Sequence, residues 1–288
     1  MKDISLLNII KAKNAISKST NIKFKDVKYV SSIFGGMSNK TYLFEANDKK
    51  YVVHISTKGY DLFLKRETEL DALDKLKALD NIQKPVYLSE KLRIFEYIDG
   101  SSMNNLKYQD YYKEISECFH KLHDSNKLFK EDYKPFEFIE ENIKLLNCEL
   151  DDLFVKSYDV LKENKDFLES RPMSPCHNDL QPSNLVLNDG KVYILDFEFA
   201  KNNDYLFDLA SFGNLDFNDS LNIIKIYKPN YTEDELKALK LWRIAINCIW
   251  YLIAMKKKEL GYDKPLKMDF REVALFFLNH NEDIIKSL

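Results

Sequence analysis

The chain has 288 residues, a length that holds one large domain or two lobes around a sizeable core. A net charge of −3 excludes the basic footprint of a nucleic-acid binder, and scarce glycine and proline, 7 of each, exclude a low-complexity or disordered chain. Four widely spaced cysteines, Cys118, Cys148, Cys176 and Cys248, form no C-x-x-C pair, which argues against structural zinc and against a disulfide framework.

The segment Met1-Lys2-Asp3-Ile4 lacks the plan of a signal peptide, and no uninterrupted apolar run approaches the roughly 18 residues of a membrane span. A cytoplasmic protein with buried free thiols and no membrane insertion is expected, with Cys176 as a small core residue. Residues 1–20 read as a helix with Ile4, Leu7, Ile10 and Ile16 on one side. The period then changes to that of strands, expected over Val27–Phe34, Thr41–Ala46 and Tyr51–Ser56. Between the first two lies Phe34-Gly35-Gly36-Met37-Ser38-Asn39, the only Gly-Gly in the chain. Glycine lets backbone N–H groups approach a phosphate closely, and it equally suits a plain hairpin turn.

Residues 62–79 read as an amphipathic helix with Leu64, Leu70, Leu73, Leu76 and Leu79 on its apolar side, followed by strands around Val86–Leu88 and Leu92–Tyr97. Gly100-Ser101-Ser102 marks a break between a small β-rich part and a larger helical part, giving lobes of 1–98 and 99–288. Helices are expected at Tyr108–His123, Phe136–Cys148, Leu153–Leu168 and Asp204–Asn214. Thr232-Glu233-Asp234-Glu235 has the form of a capping box and opens a long helix to about Lys258. A last helix covers about Phe270–Ile285. The expected class is α+β, a bilobal fold with a small β-rich N-lobe and a large, mainly helical C-lobe. It resembles the protein-kinase-like architecture.

Between the expected helices lies His177-Asn178-Asp179-Leu180-Gln181-Pro182-Ser183-Asn184, and soon after it Ile194-Leu195-Asp196-Phe197-Glu198. The pattern is H-x-D-x-x-x-x-N, then an apolar run ending in Asp, a set of parts for moving a phosphoryl group. Asp179 can take a proton from a substrate hydroxyl, and Asn184 and Asp196 offer hard oxygen ligands to Mg²⁺. The spacing has a physical reason. Leu185-Val186-Leu187 and Lys191-Val192-Tyr193-Ile194-Leu195 flank Asn188-Asp189-Gly190, a strong hairpin signal. A hairpin brings its ends together, so Asn184 is expected beside Asp196 where both can share one metal.

With these residues in view, the chain resembles the choline/ethanolamine kinase and aminoglycoside phosphotransferase superfamily, and within it the bacterial choline kinases. Gly35-Gly36-Met37-Ser38-Asn39-Lys40-Thr41-Tyr42 is similar to the family's G-G-x-[ST]-N-x-x-Y loop, and Arg66-Glu67-Thr68-Glu69 to its R-x-x-E helix start. Phe95-Glu96-Tyr97-Ile98 falls where the family's hinge binds adenine, and Pro135-Phe136-Glu137 resembles a P-F-[ED] element. Asp196-Phe197-Glu198-Phe199-Ala200 is similar to D-[FW]-E-[YF]-A, and Phe207-Asp208-Leu209-Ala210 to [FW]-D-[LI]-A.

The resemblance implies transfer of the ATP γ-phosphoryl group, with Mg²⁺, to a small amino alcohol, foremost choline. Ethanolamine, thiamine and aminoglycosides are alternative acceptors. It implies a nucleotide site at Gly35, Gly36, Ser38, Asn39, His54, Glu69, Glu96 and Ile98. It implies Asp179 as base, and His177 and Asp208 as supports of the same loop. An onium cation needs aromatic faces and a carboxylate. Trp250 falls where the family's cage tryptophan lies, and Glu198 is placed to face the ammonium or to brace the loop. Tyr251, Phe212 and Trp242 are further aromatic candidates, with core packing the expected role of Tyr251 and Trp242. A monomer or homodimer is expected.

Two positions depart from the family pattern. Tyr51-Val52-Val53-His54-Ile55 puts His54 where the family carries Lys or Arg to pair the phosphates with the helix glutamate. Glu69 nearby is expected to favour imidazolium there, with Lys58 or Arg66 as other sources of charge. Trp250-Tyr251-Leu252-Ile253 replaces W-x-x-W, and the stretch after Ala210 offers only Asn214 and Asp216 where many choline kinases carry a glutamate. His54 leaves room for a nucleotide-binding pseudokinase as a second class of function, and the thinner cage for a smaller or different amine.

Overall fold

A computed structural model describes residues 6–33, 39–56 and 65–288. In chain order its first elements are α1 (Leu6–Thr20), β1 (Lys28–Ile33), β2 (Asn39–Ala46), β3 (Lys49–Ser56), α2 (Arg66–Leu76), β4 (Pro85–Leu88), β5 (Leu92–Glu96) and β6 (Ser101–Ser102). Then follow α3 (Tyr112–His123), α4 (Pro135–Leu145), α5 (Asp152–Glu163), α6 (Lys165–Glu169), β7 (Ser174–Cys176), β8 (Leu185–Asn188), β9 (Lys191–Ile194) and β10 (Lys201–Asn203). The chain ends in α7 (Tyr205–Phe212), α8 (Phe217–Tyr227), α9 (Glu233–Glu259), α10 (Asp263–Leu266), α11 (Phe270–Asn279) and α12 (Asn281–Lys286).

These elements form two compact units. One comprises the described residues up to Tyr108 together with Pro182–Ala200; the other comprises Gln109–Gln181 and Lys201–Leu288. The grouping differs from lobes of 1–98 and 99–288 in where it places 99–108 and the 182–200 hairpin.

The first unit holds an antiparallel five-stranded sheet in the order β1-β2-β3-β5-β4. Alternation along β2 and β3 buries Tyr42, Phe44, Ala46, Tyr51 and Val53 in a core with Ile94 and with Ala12 and Ile16 of α1. The inward stripe of α1 thus runs through Ile9, Ala12 and Ile16, while Leu7 and Ile10 are exposed. The inward face of α1 therefore does not follow its largest apolar residues; the small Ala12 packs into the core with the sheet. A second sheet, β6-β8-β9, carries the expected hairpin. Asp189 (φ 48°) and Gly190 (φ 76°) are both left-handed, as a two-residue type I′ turn demands. Gly100 is needed for space, since a Cβ there would lie 2.3 Å from the Leu187 carbonyl oxygen.

The second unit is helical apart from the β7/β10 pair. Its central helix, α9, starts with the expected capping box between Thr232 and Glu235. By length and composition α9 could cross a membrane, but 89% of its apolar window is buried inside the protein, so it is a core helix. Two long helices expected from periodicity are each broken. Asn164 divides α5 from α6, and His280 divides α11 from α12. Helix α8, N-capped by Asp216, was not anticipated.

Candidate active site

In the first unit the β8–β9 hairpin does what its spacing predicts. Leu185 pairs with Ile194, and the Leu195 N–H donates to the Asn184 carbonyl oxygen at 2.9 Å, so the residue before Asp196 is bonded directly to Asn184. Asp196 itself sits at φ 61°, a conformation that costs a non-glycine residue about 1–3 kcal/mol and that concentrates at functional sites. An amide oxygen and a carboxylate, brought together by a hairpin, are hard donors of the kind Mg²⁺ takes. The donor set therefore fits that ion.

The same unit contains a buried charge cluster. Arg93, on β5, is 0% exposed, Glu69 2% and Arg66 8%. Arg93 Nε lies 2.9 Å from Glu69 Oε1, and Arg66 NH1 lies 2.8 Å from Glu69 Oε2. Arg66 NH1 also meets Glu198 Oε2 at 3.2 Å. Asn39 joins the groups. Its Oδ1 accepts from Arg93 NH2 at 2.7 Å and from Arg66 NH2 at 3.0 Å, and its Nδ2 donates to Glu198 Oε2 at 3.2 Å. Burial pulls Arg93 below the usual arginine range, with Glu69 opposing it. Burial also weighs against the Arg66 charge, but Glu69 and Glu198 outweigh it and raise that pKa. Both guanidinium groups stay cationic at neutral pH.

His54 is the register partner of Arg93 across β3 and β5, and its ring meets Phe95 edge-on at 5.5 Å. Burial pushes the imidazole down to about 3, helped by the positive fields of Arg93 and Arg66. His54 is therefore neutral, and the expectation that Glu69 would hold it as imidazolium is corrected: Glu69 is already satisfied by two arginines. Arg93 was missed in the sequence. The available signal was an arginine set in the apolar run Leu92–Phe95, a charge that only a buried partner would stabilise.

At the expected hinge, Glu96 N–H donates to Lys84 O (2.9 Å), and Glu96 O accepts from Gln83 Nε2 (3.1 Å). The Ile98 carbonyl accepts from Gly100 N at 3.0 Å. Gly35, Gly36, Ser38 and Lys58 lie outside the described residues.

In the second unit the loop after β7 carries His177, Asn178, Asp179 and Gln181. Asp208, fully buried at the start of α7, organises it. Its two carboxylate oxygens accept from His177 N (2.8 Å) and Asn178 N (2.6 Å), and His123 Nε2 lies 3.1 Å from Oδ2. Asn178 adopts φ 62°, held by Asn203 Nδ2 on its Oδ1 at 2.8 Å and by its own Nδ2 on Lys201 O at 3.1 Å. His177 Nδ1 accepts from Asp179 N at 3.2 Å, which places the ring as a brace of the loop. Gln181 Nε2 donates to both Asp179 carboxylate oxygens, at 3.1 and 3.2 Å. Cys176 donates its thiol to Asn203 O at 3.4 Å, and burial pushes its pKa far up, so it stays a protonated core residue.

The aromatic candidates separate by burial. Tyr251 is fully buried against Phe154, and Trp242 is buried with its Nε1 on Asp204 Oδ2 at 2.8 Å. Phe212 is buried edge-on to Tyr112 and Phe119. Trp250 alone among the four is half-exposed, and it stacks on the half-exposed Phe277 of α11 with ring centres 5.9 Å apart. Asp216 caps α8 through the Asn218 N–H, and Asn214 donates to Gln181 Oε1.

A profile of the phosphotransferase enzyme family matches residues 30–242. Protein LicA of Haemophilus influenzae is 26% identical over 254 residues, covering 80% of this chain and 74% of that protein. Among solved structures, choline kinase LicA from Streptococcus pneumoniae superposes with a TM-score of 0.78 at 21% identity, covering 96% of this chain and 98% of that one. A choline/ethanolamine kinase family protein from Mesorhizobium loti gives a TM-score of 0.77 at 19% identity, covering 95% and 94%. These likenesses show a common fold, with a β-rich N-terminal part and a helical C-terminal part.

Proposed function

The chain belongs to the phosphotransferase enzyme family, and from that premise we propose that it phosphorylates choline with ATP, releasing ADP and phosphocholine. The observation that carries the reaction class is the closed β8–β9 hairpin, which joins Asn184 to the residue before Asp196. The observation that favours an onium acceptor is Trp250, half-exposed and stacked on Phe277 while the other candidate rings are core. The likeness to proteins named choline kinase points the same way.

In this reading Asp179 orients the choline hydroxyl and accepts its proton late in a loose transition state, as the oxygen–phosphorus bond forms and the bond to the ADP oxygen breaks. His177 and Asp208 fix the loop that presents Asp179. Asn184 and Asp196 would hold Mg²⁺, which would supply neutralisation of charge on the phosphate oxygens. Arg93, one strand over from His54, supplies the buried cation opposite Glu69, in the role of the third-strand Lys–helix Glu ion pair of protein kinases. Glu198, committed to Arg66 and Asn39, braces that cluster. Gly35, Gly36, Ser38, Asn39, Glu96 and Ile98 complete the nucleotide site in residues 1–98, and the acceptor site lies in 99–288. Trp250 with Phe277 gives an onium methyl group an aromatic face worth about 2 kcal/mol when desolvated. The reading implies a cytoplasmic location, where ATP is at hand.

The test is an ADP-release assay with Mg²⁺ across choline, ethanolamine and thiamine. Choline-dependent release, abolished in Asp179→Ala, is expected. Release with another acceptor alone moves the assignment to that acceptor. ATP binding without turnover on any of them marks a pseudokinase.

A further inference from the structure

The Asp179 carboxylate is the end of a hydrogen-bond chain that starts on a buried arginine. Arg243, in the middle of α9, is 2% exposed. Its partners are all neutral oxygens: Asn247 Oδ1 from Nε at 3.0 Å and again, closely, from NH2; the Ala210 carbonyl from NH1 at 3.0 Å; and Asn214 Oδ1 from NH2 at 3.4 Å. Among the described residues no carboxylate pairs with it, and burial pulls its pKa down to about 9. Asn214 Nδ2 then donates to Gln181 Oε1 at 2.9 Å, and Gln181 Nε2 donates to both oxygens of Asp179.

The direction of this chain is dictated by its ends. A guanidinium only donates and a carboxylate only accepts. Asn214 must turn its oxygen to Arg243 and its NH₂ to Gln181, and Gln181 must turn its oxygen to Asn214 and its NH₂ to Asp179. Two amide dipoles are thereby aligned head to tail between a buried positive charge and a carboxylate, in surroundings where such chains reinforce one another. The charge is anchored on its other side too: Asn247 Nδ2 donates to Asn281 Oδ1 at 2.7 Å, and Asn281 Nδ2 to Ser157 Oγ at 3.0 Å.

We propose that Arg243, Asn214 and Gln181 form a positioning relay that fixes the plane of the Asp179 carboxylate for proton acceptance. The proposal rests on Asp179 being the proton acceptor of the reaction above. The two bonds from Gln181 orient the carboxylate, because one NH₂ group holds both of its oxygens. Asn214 and Arg243 act only through Gln181.

Asn214→Asp separates this role from a structural one. The new carboxylate gives Arg243 a counter-ion, so resistance to urea is expected to hold or rise. It also removes the donor to Gln181, whose amide then turns its NH₂ toward residue 214 and its oxygen toward Asp179. The expected kcat falls at least about tenfold, inside the ~10²–10⁴ that a positioned proton acceptor supplies, with the KM for ATP unchanged. A kcat within about twofold of wild type overturns the relay, as does a joint loss of stability and kcat. A second readout does not need turnover. The Gln181 side-chain ¹H–¹⁵N amide signal, identified by its loss in Gln181→Leu, is expected to shift in both Asp179→Asn and Asn214→Asp. An unmoved signal in either variant overturns the relay even if no acceptor is phosphorylated. A shifted signal with no turnover leaves the relay standing and removes the choline reading.

Discussion

His54 and Arg93 face each other across strands β3 and β5, and the positive charge of the pair resides wholly on Arg93. An arginine one strand over has taken the helix glutamate, Glu69, at 2.9 Å, and it shares that glutamate with Arg66. The neutral histidine is thus a consequence of the cluster and not a gap in it. The case for a pseudokinase, which began from His54, loses its motive.

Replacing Arg93 with Met removes one of two cations from a buried cluster that also holds the Glu69 and Glu198 carboxylates. A loss of roughly 3–5 kcal/mol in unfolding free energy is expected by urea denaturation, with Arg93→Lys losing less because charge is kept while the fork geometry is not. If Arg93 grips the nucleotide side of the site, Arg93→Lys also raises the KM for ATP more than that for choline. Equal changes in both would argue against that role.

The His54 pKa sets a pH dependence with a definite sign. Its folded value, about 3, lies below the unfolded value of 6.5. As pH falls below about 6.5 the unfolded chain binds a proton that the folded chain refuses, so stability is full above that value and is lost on the way toward pH 3. Urea midpoints of wild type and His54→Asn, measured between pH 7 and 5, are expected to diverge, the wild type losing at most about 1.4 kcal/mol per pH unit relative to the variant. Parallel curves would place His54 in a different environment.

Asp179→Asn keeps the size of the side chain and removes the proton acceptor. In the coupled ADP-release assay kcat is expected to fall by ~10²–10⁴, while the ATP dissociation constant from titration calorimetry stays within about threefold.

Trp250→Ala is expected to raise the KM for choline by about 10- to 30-fold, the equivalent of roughly 2 kcal/mol of cation–π contact, without altering the KM for ATP. Tyr251→Phe serves as the contrast. Tyr251 is buried and its hydroxyl accepts the Asp151 N–H at 3.2 Å, so a modest stability loss with unchanged choline KM is expected.

Much of this protein was determined along the chain itself. The His177–Asn184 segment, the hairpin closing on Asp196, the capping box at Thr232 and the sheet strands are local patterns, in which neighbours in sequence are neighbours in space. Their physics is short-range: turn geometry, period-2 alternation and end-capping of helices. Helix breaks at Asn164 and His280 were not legible, because packing against other helices, and not propensity, decides where a periodic stretch bends. Only the tertiary structure decided which cation meets Glu69, which tryptophan stays half-exposed, and that Arg243 reaches Asp179 through two amides. Those relationships join residues from 24 to 64 positions apart or more through strand register and helix packing. A buried charge must find its partner wherever the fold brings one, and the sequence carries no local mark of that choice.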